Sequence, residues 1–393
     1  MIPDSVLRRN ARFVVVLAAV LAIGGGFSGS RSPAGENRGW DGPAAARYLD
    51  GRATAWFALP AAARGRGEDK VSCLSCHTLL SYALGRPAVR HLTGESQPSD
   101  LEDRVIVQVR RRVAHWDELD TPRFPLLYDF DEAKKVESRG TEAVLNAWVL
   151  AREDRNRRRV GPSAETRRAL GHLWATQVVE GPEKGSWSWL NFGLGPWESE
   201  RSRYQGAALA AITVGTAGVD PSTKDDARPR ARLDLLREYL RSRFDRQDLH
   251  NRSWTLWAST TIDGLLSTAE RDRLISQILA KQRDDGGWCL ATLGDYKRLD
   301  GTPQPMTSDG YATGLILHVL QLAGRGRDEP AVAKGLAWLR GNQQPTGAWQ
   351  AHSINKQRDP NSNAGKFMSD AATAFALLAL DHPGASRPGP AGD

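Results

Sequence analysis

Sulfur is scarce in this chain, which contains three cysteines and three methionines among 393 residues. The cysteines are Cys73, Cys76 and Cys289, and their odd number leaves Cys289 single when the first two act together. Residue patterns typical of β-strands are also nearly absent, so the sequence does not predict a sheet. Helical periodicity recurs along the chain instead and predicts an all-α fold.

The apolar run near the N-terminus is shorter than the ~20 residues that a membrane-spanning helix needs. It covers residues 13–23, follows arginines within residues 8–12 and precedes the glycines at 24–26. This order is the layout of a secretory signal. Because no clear cleavage site follows, the sequence predicts a signal peptide or an uncleaved anchor in residues 1–30, then a linker in residues 31–41. A periplasmic or other extracytoplasmic location is expected, with membrane association if the anchor is retained.

Long blocks of one charge are missing as well, although the formal net charge is +7 and the pI is about 9.4. Arginine-rich stretches such as residues 110–112 and 155–159 are interleaved with acidic residues, which is typical of a solvated surface. No nucleic-acid-binding motif accompanies the charge. The sequence therefore predicts no nucleic-acid partner, and a basic patch would instead suit docking of an unknown acidic redox partner.

The stretch Cys73-Leu74-Ser75-Cys76-His77 carries the most specific chemical signal. Two thiols three residues apart, followed by a histidine, form the attachment pattern of c-type haem. The pattern predicts haem c as cofactor, with Cys73 and Cys76 forming thioethers and His77 as the proximal iron ligand. Two alternatives are left open by these residues: a disulfide beside a chance histidine, or a zinc site that also uses Cys289.

An internal repeat organises the second half of the chain. Gln282, Gly286 and Trp288 recur at the same spacing as Gln343, Gly347 and Trp349, 61 residues later. A looser copy runs from 177 to 187. Each copy follows an amphipathic segment and precedes a nearly apolar one, which predicts an outer helix followed by a buried inner helix.

Six such pairs can be placed along the chain, and they predict an (α/α)6 toroid over residues 42–382, followed by a disordered tail over 383–393. The predicted outer helices cover residues 43–63, 100–115, 164–177, 229–244, 269–282 and 330–342. Their inner partners cover residues 78–91, 140–152, 203–217, 253–266, 309–323 and 369–380.

The Gln-x-x-x-Gly-x-Trp repeats resemble the QW motifs of squalene–hopene cyclases and of the wider terpenoid cyclase/protein prenyltransferase superfamily. The resemblance implies an (α/α)6 toroid with an embedded c-type cytochrome haem-attachment motif. Cyclases protonate an alkene with an Asp-x-Asp-Asp motif, of which only Asp309 is present at residues 307–310. Aromatic residues on the inner helices could still line a cavity for a hydrophobic ligand: Trp254, Trp257, Tyr204 and Tyr311.

The haem motif falls in the loop between the first outer and inner helices, and the loops of this type share one rim of a ring. Met368 is expected on that rim, beside His77 if the sixth pair closes on the first, and is the first candidate for the distal iron ligand. Met306 is the second candidate. His115 and His352 are rivals on the same rim.

These observations predict an exported c-type haem-binding protein that serves electron transfer or another haem-linked redox function. A terpenoid-cyclase-like enzyme or hydrophobic-ligand binder is one alternative. A zinc- or disulfide-stabilised toroid without haem is another. Whether the protein is an enzyme is not decided by these residues.

Overall fold

Twelve α-helices alternate along the part of the chain that the structure, a computed structural model, describes: residues 39–65, 67–218 and 227–382. They are α1 (Gly42–Ala58), α2 (Leu80–Thr93), α3 (Asp100–Ala114), α4 (Glu132–Asn156), α5 (Ala164–Ala175), α6 (Ser202–Ala217), α7 (Ala227–Arg243), α8 (Leu249–Ala258), α9 (Thr268–Leu279), α10 (Gly310–Leu322), α11 (Pro330–Gly341) and α12 (Asn363–Leu380). The predicted all-α fold is confirmed.

The even-numbered helices form a closed inner ring. Each of them packs against the next even-numbered helix, and α12 packs against α2, so that the last pair meets the first. The odd-numbered helices lie outside and contact the inner helices next to them in the chain. Helices α10 and α12 have few polar side chains, and almost every residue of α10 is buried. The alternation of outer and inner helices confirms the predicted (α/α)6 toroid.

Two short strands precede the second helix. Strand β1 (Ala63–Arg64) pairs antiparallel with β2 (Val71–Ser72), and Ala63 lies opposite Ser72. The Cys73 backbone N–H donates to the Ala62 carbonyl at 2.8 Å. A π-helical turn (Ser75–Leu79) then leads into α2. This small hairpin fixes the start of the cysteine motif against the end of α1.

The glutamine of each repeat joins two successive helix pairs. The Nε2 atom of Gln282 donates to its own loop at the Gly286 carbonyl and to the start of α11 at the Ala331 carbonyl, both at 2.8 Å. Gln343 donates in the same way to the Gly347 carbonyl at 3.0 Å and to the Asp41 carbonyl at 2.9 Å. Because Asp41 is the N-cap of α1, the last glutamine closes the ring.

The tryptophans of the repeats anchor each loop on the outer helix that precedes it. Each indole N–H donates to a main-chain carbonyl of that helix. The pairs are Trp187 to Leu173 at 2.7 Å, Trp288 to Ile278 at 2.9 Å and Trp349 to Leu339 at 2.7 Å. All three indoles are fully buried. The repeat pattern therefore encodes the bonding between helix pairs.

Several helices begin earlier than their apolar patterns indicate. Helix α4 starts at Glu132 rather than at 140, because Asp131 caps a polar first turn that has no apolar stripe. Helix α12 starts at Asn363 with Ser362 as its N-cap, six residues before the predicted start. Helix α8 (Leu249–Ala258) is shorter than the predicted segment and shifted towards the N-terminus. For α4 and α12, the apolar pattern marked only the buried part of the helix.

Some predictions concern residues outside those that the structure describes. The predicted signal or anchor in residues 1–30, most of the linker in residues 31–41 and the tail in 383–393 belong to this group. Among the helices that are described, none is both long enough and apolar enough to cross a membrane.

Candidate functional site

A chamber lies between the inner helices and is lined mainly by aromatic and aliphatic side chains. Its cavity volume is about 30 Å³, and the whole space between the lining atoms, open solvent included, is about 420 Å³. The residues lining it are Cys76, Leu80, Ser81, Leu84, Leu145, Trp148, Trp189, Trp197, Gln205, Leu209, Trp254, Ala371 and Phe375. A concave, mostly apolar space with few polar groups is typical of a small-molecule site.

Two of the chamber tryptophans come from the long loop between α5 and α6. The indole N–H of Trp189 donates to the Trp197 carbonyl at 2.8 Å, and that of Trp197 donates to the Tyr311 hydroxyl at 3.1 Å. Trp189 lies directly over Gly206 of α6, where an added Cβ atom would come within 2.3 Å of the ring. The two indoles are therefore held in place by hydrogen bonds and by the missing side chain at 206.

One of the two cysteines of the motif, Cys76, lies at the wall of this chamber. Cys76 is half-buried and lines the chamber, whereas Cys73 is buried among apolar side chains. The two thiols do not form a disulfide in this structure. Burial, with a further contribution from Glu198, raises the pKa of the Cys76 thiol well above its ordinary value. Cys76 is therefore a neutral thiol in the folded protein without a bound group.

The His77 ring is fixed by two aromatic neighbours. It stacks on Phe367 with ring centroids 3.5 Å apart and meets Trp56 edge-on at 5.3 Å. Burial lowers the pKa of His77 well below its ordinary value, so the imidazole is neutral at pH 7. Its Nδ1 atom lies 3.0 Å from the Thr78 hydroxyl.

A buried polar network continues from Thr78 to the first outer helix. The Thr78 hydroxyl donates to Asp370 Oδ2 at 2.8 Å, and the Tyr48 hydroxyl donates to Oδ1 at 2.8 Å. Arg52 donates to Oδ1 through Nε at 2.7 Å and to Oδ2 through Nη2 at 3.0 Å. Sequence reasoning missed this network, because its members come from α1, from the π-helical turn before α2 and from α12.

The candidate second ligands lie in different environments. Met368 is buried on α12, next in the chain to Phe367. Met306 is 52% exposed. His115 caps the end of α3 and its Nδ1 atom lies 2.7 Å from Glu118 Oε1. His352 is exposed. Of these four candidates, Met368 alone is both buried and adjacent in the chain to Phe367, whose ring stacks on His77.

The zinc alternative and most of the predicted cavity aromatics do not match the structure. The Cys289 thiol donates to the Pro305 carbonyl at 3.3 Å, and within the described ranges no three His, Cys, Asp or Glu side chains converge on a metal position. Of the four predicted aromatics only Trp254 lines the chamber. Trp148, Trp189, Trp197 and Phe375 were missed, since burial on an inner helix or loop does not indicate which way a ring faces.

Comparisons with known proteins give similarity in fold without close relatives. No protein-family model matches this chain, and no curated protein sequence matches it. A solved wild-type glycosidase aligns over 86% of this chain and 97% of its own at 12% identity, with a TM-score of 0.48.

Two further solved structures are similar in the same way. A possible member of the GH105 family from Klebsiella pneumoniae aligns over 86% of this chain and 92% of its own at 13% identity, with a TM-score of 0.45. A polysaccharide lyase aligns over 88% and 89% at 12% identity, with a TM-score of 0.30. At such identities the likeness concerns the fold alone.

These findings correct the family prediction. The similar structures are glycosidases and a polysaccharide lyase, so the predicted resemblance to terpenoid cyclases and to c-type cytochromes was wrong. The physical reason lies in the repeat itself: its Gln bonds one helix pair to the next, and its Trp anchors the loop on the preceding outer helix. These contacts hold a ring of helix pairs together and do not identify a catalytic family.

The predicted function is corrected by the same comparisons. The predicted electron-transfer function and its cyclase-like and zinc-stabilised alternatives were wrong: the similar solved structures are named glycosidases and a polysaccharide lyase, and among the described residues no three His, Cys, Asp or Glu side chains could hold a metal ion. A five-residue motif does not determine the role of the whole chain.

Proposed function

We propose that this protein binds a small molecule with a flat or apolar face in the chamber at the centre of the ring. The observation that carries the proposal is the wall of four tryptophans and Phe375 around a cavity of about 30 Å³, which would widen when the molecule binds. Aromatic rings give large apolar contact areas at fixed orientations. Cys76, Ser81 and Gln205 are the polar side chains among the described lining residues, so the ligand would make few hydrogen bonds.

We further propose haem c as the group attached at the wall of this chamber. Cys73 and Cys76 would hold it through thioethers, His77 would ligate its iron, and buried Met368 is the first candidate for the opposite side. The donor set supports the fit, since two thiols and an imidazole lie within five residues and Cys76 lines the chamber. Bound haem would supply an iron centre beside the apolar site. Its attachment implies maturation in an extracytoplasmic compartment.

The chamber does not favour glycoside hydrolysis, the chemistry named for the similar solved structures. Most glycosidases place two Asp or Glu carboxyl groups on either side of the scissile bond. None of the described residues lining the chamber is Asp or Glu. We therefore do not extend carbohydrate hydrolysis to this chain.

A cofactor experiment separates the thiol pair from the third cysteine. Wild-type protein, Cys73→Ala/Cys76→Ala and Cys289→Ala would be exported from a host with a cytochrome c maturation system, and each would be assayed denatured as the pyridine haemochrome. We expect covalent haem in the wild type and in Cys289→Ala, and none in the double variant. Colourless wild-type protein, or haem retained without Cys73 and Cys76, would contradict the cofactor proposal.

A chamber experiment uses N-phenyl-1-naphthylamine, a neutral flat fluorophore, as the probe. Leu209→Trp is expected to fill the chamber and abolish probe binding, because Leu209 lies on its wall. Val160→Trp is the matched control, since Val160 is fully exposed. Circular dichroism would verify that both variants fold. Binding that survives Leu209→Trp, or wild-type protein that binds no probe, would reject the proposed site.

A further inference from the structure

The Thr78 hydroxyl lies between the imidazole of His77 and the carboxylate of Asp370. Its oxygen is 2.8 Å from Asp370 Oδ2 and 3.0 Å from His77 Nδ1. All three side chains are buried, with exposed fractions of 6% or less. The hydroxyl has one hydrogen to donate, so the direction of one of these bonds determines the direction of the other.

The carboxylate determines that direction. Asp370 receives two hydrogen bonds from the Arg52 guanidinium and one from the Tyr48 hydroxyl. Because the Arg52 guanidinium donates to both carboxylate oxygens, Asp370 acts as an acceptor towards its other neighbours. The Thr78 hydrogen therefore points to Asp370, and towards His77 the Thr78 oxygen can only accept. His77 must then donate from Nδ1.

A neutral imidazole carries one ring hydrogen, so a hydrogen on Nδ1 leaves a lone pair on Nε2. The aromatic neighbours keep the ring in this orientation, because stacking on Phe367 and the edge contact with Trp56 fix its plane. Metal-ligating histidines commonly donate their second ring N–H to an oxygen, which sets the tautomer and the ring direction. The chain builds this arrangement around His77 without any bound group.

We propose that Thr78 and Asp370 are positioning residues that lock His77 in its Nδ1–H tautomer and present Nε2 as the ligand atom for the iron of the attached group. The ligand part rests on the proposed haem attachment. The tautomer part depends only on the network. Arg52 contributes by donating to both oxygens of the Asp370 carboxylate, which fixes its orientation.

The tautomer can be measured without haem. Two-bond ¹H–¹⁵N correlation spectra of histidine-labelled protein distinguish the Nδ1–H from the Nε2–H form, and the spectrum of His77→Gln would assign the signal. We expect the Nδ1–H form in wild-type protein and in Thr78→Ser, which keeps the hydroxyl. Thr78→Val has nearly the same shape but cannot accept, so the Nε2–H form should become populated. An Nε2–H tautomer in wild type, or an unchanged tautomer in Thr78→Val, would overturn the positioning role.

The second measurement uses protein matured with haem. Thr78→Val should keep its covalent haem but change the low-spin ferric electron paramagnetic resonance signal, and Thr78→Ser should restore the wild-type signal. An identical signal in Thr78→Val would overturn the ligand part. Wild-type protein that shows the Nδ1–H tautomer but carries no haem would overturn the cofactor proposal and the ligand part together. The two failures are thus distinguishable.

Discussion

Two aspartates at the same repeat position have different roles. Asp309 caps α10 and accepts from the main-chain N–H groups of Ala312 and Leu290 at 2.8 and 2.6 Å. Its repeat copy, Asp370, lies inside α12 because that helix begins at Asn363, and it pairs with Arg52 instead. A repeat in sequence therefore does not guarantee a repeated role when the helix start shifts.

Asp309 makes stability depend on pH in a direction that can be tested. Burial raises the pKa of its carboxyl from 3.8 to about 6. Between these values the folded state binds more protons than the unfolded state, so this contribution to stability is present below about pH 4 and lost as pH rises through 6. Two pKa units correspond to about 3 kcal/mol.

The variant Asp309→Asn removes this titration and keeps one acceptor oxygen. We expect the unfolding free energy of wild type, relative to the variant, to fall by about 2 to 3 kcal/mol between pH 4 and pH 7. Urea denaturation at both pH values measures the difference. If the unfolding free energy changes equally with pH in the two proteins, the Asp309 carboxyl has an ordinary pKa in the folded state.

The ion pair of Arg112 and Glu142 is the second residue-level test. Arg112 donates to the two carboxylate oxygens at 2.6 and 2.7 Å, and both side chains are almost fully buried. Arg112→Met leaves an unpaired buried charge and should cost about 3 to 5 kcal/mol, whereas Arg112→Met/Glu142→Leu should recover most of that. Arg123→Met, at an exposed pair with Asp69, should cost less than about 1 kcal/mol. Equal costs at the two sites in chemical denaturation would contradict this interpretation.

At the residue scale, the sequence reveals candidate functional residues only where their spacing along the chain forms a recognisable motif. Cys73, Cys76 and His77 are readable because they are adjacent in the chain. Thr78, Asp370 and Arg52 are not, because the contacts that join them span about 300 residues. A carboxylate at the start of an apolar segment is typical of a helix cap, and only the folded ring shows that Asp370 has another partner.

At the scale of elements, the glycine of each repeat is required by both backbone and contact. Gly347 has φ +89°, and a Cβ atom there would lie 2.1 Å from the Ala44 carbonyl oxygen of α1. Gly301 has φ +71° with nothing within 4 Å of the corresponding position. Substitutions at the two glycines therefore separate the cost of backbone strain, present at both, from the cost of a steric clash with α1, present only at Gly347.

We expect Gly301→Ala to cost about 1 kcal/mol from the left-handed backbone alone. Gly347→Ala should cost about 2 to 4 kcal/mol, because the loop must also move away from α1. Denaturation midpoints and slopes of the two variants give the comparison. Equal costs for the two variants would contradict the close contact between the Gly347 loop and α1 that the structure shows.

The helices themselves were predictable where one face or the whole surface is apolar. The inner helices α10 and α12 follow from their nearly continuous apolar residues. Helix starts were less accurate, since the first turns of α4 and α12 are polar and depend on single cap residues, Asp131 and Ser362. The apolar pattern marks buried residues, so it does not reveal a first helical turn whose side chains face the solvent.

At the scale of the whole molecule, closure of the ring depends on contacts between its two ends. Gln343 joins the last repeat to Asp41 at the start of α1, whereas Gln282 makes the same pair of bonds between successive repeats. Each Gln→Ala variant leaves two carbonyls without these donors and should cost about 1 to 3 kcal/mol. We expect the two variants to destabilise different regions of the ring.

Hydrogen exchange followed by mass spectrometry distinguishes the two variants. Gln343→Ala should raise exchange in the first turns of α1, and Gln282→Ala should raise it at the start of α11 around Ala331. Each variant serves as the control for the other. Unchanged exchange in α1 upon loss of Gln343 would show that the ring is closed by its inner helices alone.

The sequence by itself determined the ring, because apolar periodicity and the Gln-Gly-Trp bonding pattern are local and recur along the chain. It also placed the cysteine motif in the loop between the first outer helix and the first inner helix. Only the tertiary structure decided which rings face the chamber, which carboxylate pairs with Arg52 and which oxygen holds His77. These depend on side-chain directions and on the closing of α12 against α2, which bring together groups that no local pattern connects.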